Sequence, residues 1–176
     1  MYLGNKTKFL PEILSLIEQV KKPTSILIEP FGGSGTVSLH SSINNKILSE
    51  KDYYIFKIHE AFKNGEFTDL KNIIDELWSY GDPKNIKEDY YKGRDELNKK
   101  YVRTSLGYRE GFYYWVISTF AINSMIRFGP NGFNQGWGHR GIGRETPSKR
   151  IKEKKFNEIK KAYEHIELRN EDYKFI

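Results

Sequence analysis

The sequence predicts an α/β chain built on a parallel, doubly wound sheet, and three observations carry that expectation. Ser25-Ile-Leu-Ile-Glu-Pro-Phe-Gly-Gly-Ser-Gly-Thr36 reads as a short buried strand, a glycine turn and the start of a helix. Lys46-Ile-Leu-Ser-Glu50 reads as a second short strand that ends on an acid. Strand, turn, helix and strand form a βαβ unit, whose strands lie parallel. The third observation is the pair of acids, Glu29 and Glu50, at the carboxyl ends of the two strands, where such sheets bind ligands.

The other elements follow from periodicity. Thr7 lies in the N-cap region of a first helix that runs to about Val20. Leu10, Ile13, Leu14 and Ile17 share one face of that helix, Pro11 suits its first turn, and Lys21-Lys22-Pro23 ends it. The helix after the glycine turn continues to about Ser42. Tyr53 to Phe62 reads helical. Leu70, Ile73, Ile74 and Leu77 mark an amphipathic helix that ends near Gly81-Asp82-Pro83, and Ile86 to Tyr101 a charged one. Phe112 to Met125 is apolar nearly all round, as a buried helix should be. Pro130-Asn131-Gly132 is a hairpin turn signal. A lysine-rich helix spans about Ser148 to Tyr163, Ile166-Glu167-Leu168 is a short strand, and Tyr173-Lys-Phe-Ile176 looks like the opening of another. The block of helices after Glu50 does not alternate with strands, so it is expected as an insertion beside the sheet.

Composition narrows the functional classes. A chain of 176 residues is long enough to bury a core as one domain or one domain with an insertion. It has no cysteine, which removes disulfides and Cys-based zinc sites. No apolar run approaches a membrane span and the N-terminus is no signal peptide, so a cytoplasmic location is expected. The formal net charge of +6 favours a polyanionic partner. His40, His59 and His165 lack metal-ligand spacing and are expected as surface or helix-face residues, so no metal is expected.

Gly32, Gly33 and Gly35 let the backbone turn sharply and lie close against a ligand. The turn's N–H groups and the helix N-terminus behind them offer partial positive charge to a small cofactor. The turn lacks the Gly-Lys-Ser/Thr ending of an NTP-binding loop, which counts against a nucleotide triphosphate. Farther along, residues 123–144 are glycine-rich, interleaved with aromatic residues, and basic. Arg, Asn, Gln and Trp side chains on a turn-rich ribbon suit the reading of a nucleic-acid groove.

Tyr2-Leu-Gly-Asn-Lys6, Glu29-Pro-Phe-Gly-Gly-Ser-Gly35, Ser49-Glu50 and Asn123-Ser-Met-Ile-Arg127, in that order and spacing, resemble the Dam-like DNA adenine methyltransferases across nearly the whole chain. The resemblance implies a Rossmann-like, S-adenosylmethionine-dependent methyltransferase sheet, incomplete here, with a mainly helical inserted DNA-recognition domain. It divides the chain into a cofactor-binding core at 1–56 and 164–176 and a recognition insertion at 57–163. It implies S-adenosylmethionine as cofactor, double-stranded DNA as partner, and methyl transfer to the exocyclic amine of adenine. By resemblance, Tyr2 and Lys6 border the cofactor and target site, and Phe31, Gly32, Gly33, Ser34 and Gly35 wrap the methionine part of the cofactor. Glu29 faces the cofactor's amino group, and Glu50 holds the ribose hydroxyls where the family more often has Asp. Ser124 and Arg127 are the first candidates for base or phosphate contacts, followed by Asn123, Asn134 and Arg140. Lys149 to Lys161 fits phosphate contact and a solvated helix face equally well.

One departure stands against these matches. The family's catalytic Asp-Pro-Pro-Tyr does not occur in the sequence, and Tyr173 to Ile176 aligns with the entry to the strand that carries it. A carboxylate and a prolyl carbonyl accept the two N–H bonds of the adenine amine and aim its lone pair at the methyl group, while the aromatic stacks on the flipped base. The expectation is therefore a chain inactive by itself, from a split or truncated enzyme, with no catalytic residue of its own. The strand at Ile26–Glu29 is expected at an open apolar edge, and a second polypeptide or second copy completing the sheet is the expected partner. The rival function is a non-catalytic DNA-binding module with a degenerate methyltransferase fold. A phosphate-binding enzyme built on the glycine turn is a third.

Overall fold

The computed structural model describes residues 6–78, 86–101, 107–138 and 152–175. A 3-10 turn at Thr7–Phe9 leads into helix α1 (Leu10–Val20), which has Pro in its first turn and no side-chain cap, so Thr7 does not serve as one. Strand β1 (Ile26–Glu29), helix α2 (Thr36–His40) and strand β2 (Asn45–Ser49) form the expected βαβ unit. Helices α3 (Tyr53–Asn64), α4 (Phe67–Trp78), α5 (Ile86–Tyr101) and α6 (Arg109–Phe120) follow. A two-stranded ribbon, β3 (Phe128–Gly129) and β4 (Gly132–Phe133), precedes helix α7 (Glu153–Ala162) and strand β5 (Ile166–Arg169). The expected helix end near Gly81-Asp82-Pro83 lies outside the described residues, as does the expected start of the lysine-rich helix.

The main sheet has the order β1-β2-β5. All pairings are parallel, from Ile26↔Asn45 to Glu29↔Leu48 and from Lys46↔Ile166 to Ser49↔Arg169. Parallel pairing brings all three carboxyl ends to one side. Side chains alternate across a strand, so Leu27, Glu29, Leu48, Ile166 and Leu168 share a face. On it Leu48 and Ile166 are fully buried. The opposite face carries Ile26 and Ile28, which are 57% and 47% exposed, together with the half-buried Ile47. Strand β1 is an outer strand with a free edge among the described residues.

Helices cover the buried face. Asp52 caps α3, its Oδ1 accepting from the Tyr54 and Ile55 amides at 2.9 and 3.2 Å. α6 lies directly on α3. A Cβ at Gly111 would stand 1.8 Å from the Lys57 carbonyl oxygen, so the two backbones touch there and only glycine fits. Phe112, Val116, Ile117 and Phe120 fill the space around α6, and Phe156 of α7 packs against Phe62, Phe67 and Phe112. Leu48 and Ile166 of the sheet belong to the same cluster as these helical residues.

Two expectations are corrected. The buried helix does not reach Met125. It stops at Phe120, because Ala121 turns extended to pair with Trp137, and Asn123 and Ser124 take φ of 55° and 53°. The apolar run continues past the stop because Met125 and Ile126 pack as ribbon, half-buried. Tyr173–Phe175 is a 3-10 turn and not the opening of a strand. Asp172 causes it, accepting from the Lys174 amide through Oδ1 and from the Phe175 amide through its carbonyl. No helix among the described residues is long and apolar enough to cross a membrane.

Candidate cofactor cleft and nucleic-acid ribbon

The glycine turn sits at the carboxyl ends of β1 and β2. The Gly32 amide donates to the Ser49 carbonyl at 2.8 Å, and the Gly35 amide to the Gly32 carbonyl at 2.7 Å. The turn needs glycine for two reasons. Gly33 and Gly35 have φ of 50° and 64°, which favour glycine. A Cβ at Gly32 would meet the Ser49 carbonyl oxygen at 2.8 Å. The Gly33 amide donates to Glu50 Oε2 at 2.6 Å, and Glu50 Oε1 accepts from the Asp52 amide at 2.8 Å. Glu50 thus ties the turn to the start of α3.

Glu29 is buried beneath this surface and fully partnered. Its Oε2 accepts from the Ser38 amide and hydroxyl at 3.0 and 2.7 Å, and its Oε1 pairs with Lys6 Nζ at 3.1 Å. Lys6 therefore closes over Glu29 from the cleft side. The cleft itself has a volume of about 530 Å³ and is lined by Lys6, Pro30, Phe31, Gly33, Ser34, Glu50, Lys51, Asp172 and Tyr173. That volume lies in the range of small-molecule sites. Phe31 is 66% exposed, and its ring centroid stands 5.1 Å from that of Tyr173. The 170–173 segment delivers Tyr173 there by crossing the end of β2. Asn170 donates to the Glu50 carbonyl at 2.7 Å, Ser49 Oγ to the Glu171 carbonyl at 3.0 Å, and Lys51 pairs with Asp172.

His59 lies on a face of α3, one of its two expected placements, but that face is not at the surface. It is buried under the turn, with Nε2 2.8 Å from the Gly33 carbonyl and Nδ1 2.6 Å from the Tyr163 hydroxyl. Burial pulls its pKa below the ordinary imidazole value, against the opposing pull of the Gly33 bond and the carboxylates Glu50 and Glu29. Among the described residues no cluster suited to a metal ion occurs.

The second site is the segment 121–138. Ala121 bridges Trp137, the Ile122 amide donates to Gly136, and the Gly138 amide to Phe120, so the two arms run antiparallel before the β3–β4 hairpin. Asn98 of α5 acts as an extra strand: its amide donates to the Phe133 carbonyl at 3.0 Å, and its Oδ1 accepts from the Phe133 amide at 2.8 Å. Tyr90 donates to the Gln135 carbonyl at 2.9 Å. Phe128 stacks on Tyr54 of α3 with centroids 3.3 Å apart. Below that stack the buried Glu110 accepts from the Tyr53 hydroxyl at 3.0 Å and from the Tyr114 hydroxyl. Burial, then this bond, pushes the Tyr53 hydroxyl up to about 12.

The sequence candidates for a cofactor converge, with Lys6, Phe31, Gly33, Ser34 and Glu50 on the cleft, Gly32 and Gly35 within the turn, and Glu29 behind Lys6. Asn123, Arg127 and Asn134 are exposed on the ribbon and Ser124 half-buried. Arg127 forms no ion pair among the described residues and does not cap α6. Tyr2 and Arg140 lie outside the described residues. Sequence reasoning passed over Tyr173, His59, Tyr163 and Asn98.

No curated protein matches the chain significantly. Residues 2–176 match the family described as D12 class N6 adenine-specific DNA methyltransferase, whose members use S-adenosylmethionine. The match spans nearly every residue, and the chain belongs to the D12 class N6 adenine-specific DNA methyltransferases.

Proposed function

We propose that this chain binds S-adenosylmethionine in the cleft over the glycine turn and grips duplex DNA with the 123–134 ribbon. The cleft at the carboxyl ends of β1 and β2 carries the reading, because backbone amides, a carboxylate, an ammonium and an exposed aromatic ring converge there. These groups fit the cofactor chemically. Glu50 suits the ribose hydroxyls, although it already accepts from Gly33 and Asp52 and must share its oxygens. Phe31 and Tyr173 offer apolar surface, and Lys6 borders the target side, a role the family resemblance also gives to Tyr2. Glu29 reaches the cofactor's amino group by exchanging its Lys6 partner. The bound cofactor supplies an electrophilic methyl group on a sulfonium.

In this reading residues 57–163 are the recognition portion, inserted between 1–56 and 164–176. The insertion begins inside α3, so that helix serves both parts. Arg127 is the leading groove reader, with Asn123, Ser124 and Asn134 beside it and Arg140 farther along the segment. If Arg127 holds a guanine through two bonds, Arg127→Ala costs roughly 1–3 kcal/mol and relaxes specificity at one base pair. Competition with single-base duplex variants checks this, and a uniform loss across all variants would assign Arg127 to phosphate instead.

Methyl transfer also needs a carboxylate, a carbonyl and an aromatic group around the adenine amine, and the 176 residues contain no Asp-Pro-Pro-Tyr. We place that motif on a further strand, from outside these residues, paired with the free edge of β1. The free edge of β1 supports this, since its unpaired N–H and C=O groups are the template a further strand needs. Calorimetry with S-adenosylmethionine and with duplex DNA tests the whole reading. Binding of both is expected, with no methyl transfer by the 176-residue chain. DNA binding without cofactor binding would replace this reading with a non-catalytic DNA-binding module.

A further inference from the structure

We infer that His59 and Tyr163 are a positioning pair that aims the Ser34 amide into the cofactor cleft. The inference rests on the cofactor reading of that cleft and adds a role for two residues that never touch the ligand.

The proton positions follow from the partners. A carbonyl oxygen only accepts, so His59 Nε2, 2.8 Å from the Gly33 oxygen, carries the hydrogen. A neutral ring then leaves Nδ1 as an acceptor, and the Tyr163 hydroxyl 2.6 Å away donates to it. Both side chains are buried, at 4% and 3% exposure, which keeps water from the His59–Tyr163 bond. Burial also disfavours the charged ring. Tyr163 sits at the C-terminal end of α7 and His59 in the middle of α3, so two helices combine to hold one carbonyl.

That carbonyl matters because of the peptide plane it belongs to. In a trans peptide the C=O and the next N–H point in opposite directions, and no cis peptide occurs among the described residues. Drawing the Gly33 oxygen inward to His59 therefore turns the Ser34 N–H outward, and Ser34 lines the cleft. With Gly33 at φ 50° and outside any strand ladder, nothing in regular secondary structure sets that plane. The turn also rests on the ring, since a Cβ at Gly35 would stand 3.0 Å from His59 Cε1. The outward amide is a donor suited to a carboxylate, such as the one on the amino-acid part of the cofactor.

The test combines nitrogen-detected NMR of the ligand-free 176-residue chain with calorimetry using S-adenosylmethionine, on wild type, His59→Leu, His59→Gln and Tyr163→Phe. The wild type is expected to show His59 as the Nε2–H tautomer, and Tyr163→Phe, which takes the donor from Nδ1, to shift the Nδ1 resonance and move the Ser34 amide resonance. Affinity should fall about tenfold or more in His59→Leu, because the unheld Gly33 carbonyl lets the peptide plane turn and only a minor fraction still aims the Ser34 amide at the cleft. His59→Gln keeps a donor near the Nε2 position and should recover part of it. An Nδ1–H tautomer in the wild type overturns the inference, as does His59→Leu binding like wild type with the Ser34 resonance unmoved. If the wild type binds no cofactor, the cofactor reading fails, and the tautomer with the Ser34 shift still decides whether the pair sets the peptide plane. If His59→Leu does not fold, Tyr163→Phe, which removes one hydroxyl, decides by the same two signals.

Discussion

The glycine turn and the 121–138 ribbon are both irregular backbone, yet they are held in opposite ways. In the turn, backbone groups are answered from within the sheet end or from directly beneath it, by Ser49, Glu50 and His59. In the ribbon, the backbone is clamped by Asn98 and Tyr90 and the hairpin by the Tyr54–Phe128 stack, while Asn123, Arg127 and Asn134 remain exposed. On the proposed function the turn keeps one backbone donor, the Ser34 amide, for a ligand of fixed shape. The ribbon hides its backbone and offers side chains, which suits a partner whose sequence must be read.

The sharpest way to break this contrast is to crowd the turn. Gly32→Ala places a methyl group 2.8 Å from the Ser49 oxygen and 2.9 Å from Leu48 Cδ1. It should cost roughly 1–3 kcal/mol in thermal unfolding and abolish cofactor binding, while leaving relative DNA sequence preference unchanged. A matching shift in both ligands' binding would mean the two regions are one unit. On the ribbon side, Asn98→Ala strips the partner from the Phe133 amide and carbonyl together. A stability loss of about 1–2 kcal/mol is expected, with weakened DNA binding in filter or fluorescence titrations and unchanged cofactor affinity.

Acidification separates the regions further. His59 has a depressed pKa when folded, and it faces Glu50, Glu29 and the Tyr163 hydroxyl. Above the ordinary value of 6.5 its contribution to stability is fully present. As the pH falls below that, the unfolded chain takes up the proton first, and the contribution is lost by the time the folded ring titrates. Denaturation curves should show this loss, and His59→Gln should flatten it. The smallest effect is expected at Ser124, whose φ of 53° is strained for a side chain. Ser124→Gly should raise the melting temperature by the equivalent of under about 1 kcal/mol while lowering DNA affinity, since the freed backbone no longer fixes Arg127.

The sequence made local structure legible and left distant packing hidden. β1, β2 and β5 fell within a residue of their expected bounds, because each is an apolar run closed by polar or turn residues. The glycine turn and its two acids were visible because they lie within about two dozen positions of one another. His59 was hidden, since nothing in its local sequence says that its face of α3 lies beneath Gly33, 26 residues earlier. Asn98 was hidden for the same reason, clamping a strand 35 residues later from a helix whose surface pattern is ordinary. The early end of α6 escaped notice because apolar residues continue past it, now serving the ribbon.

α3 touches everything that matters. Its cap Asp52 feeds Glu50, Tyr54 carries Phe128, Gly111 of α6 rests on its Lys57 carbonyl, and His59 supports the turn. Among the described residues the two regions share no hydrogen bond or ion pair, and these twelve residues with their cap touch both. Amide hydrogen exchange should find the slowest-exchanging protons of the sheet end and of the ribbon base leaving together, at the rate set by fraying of this one rod.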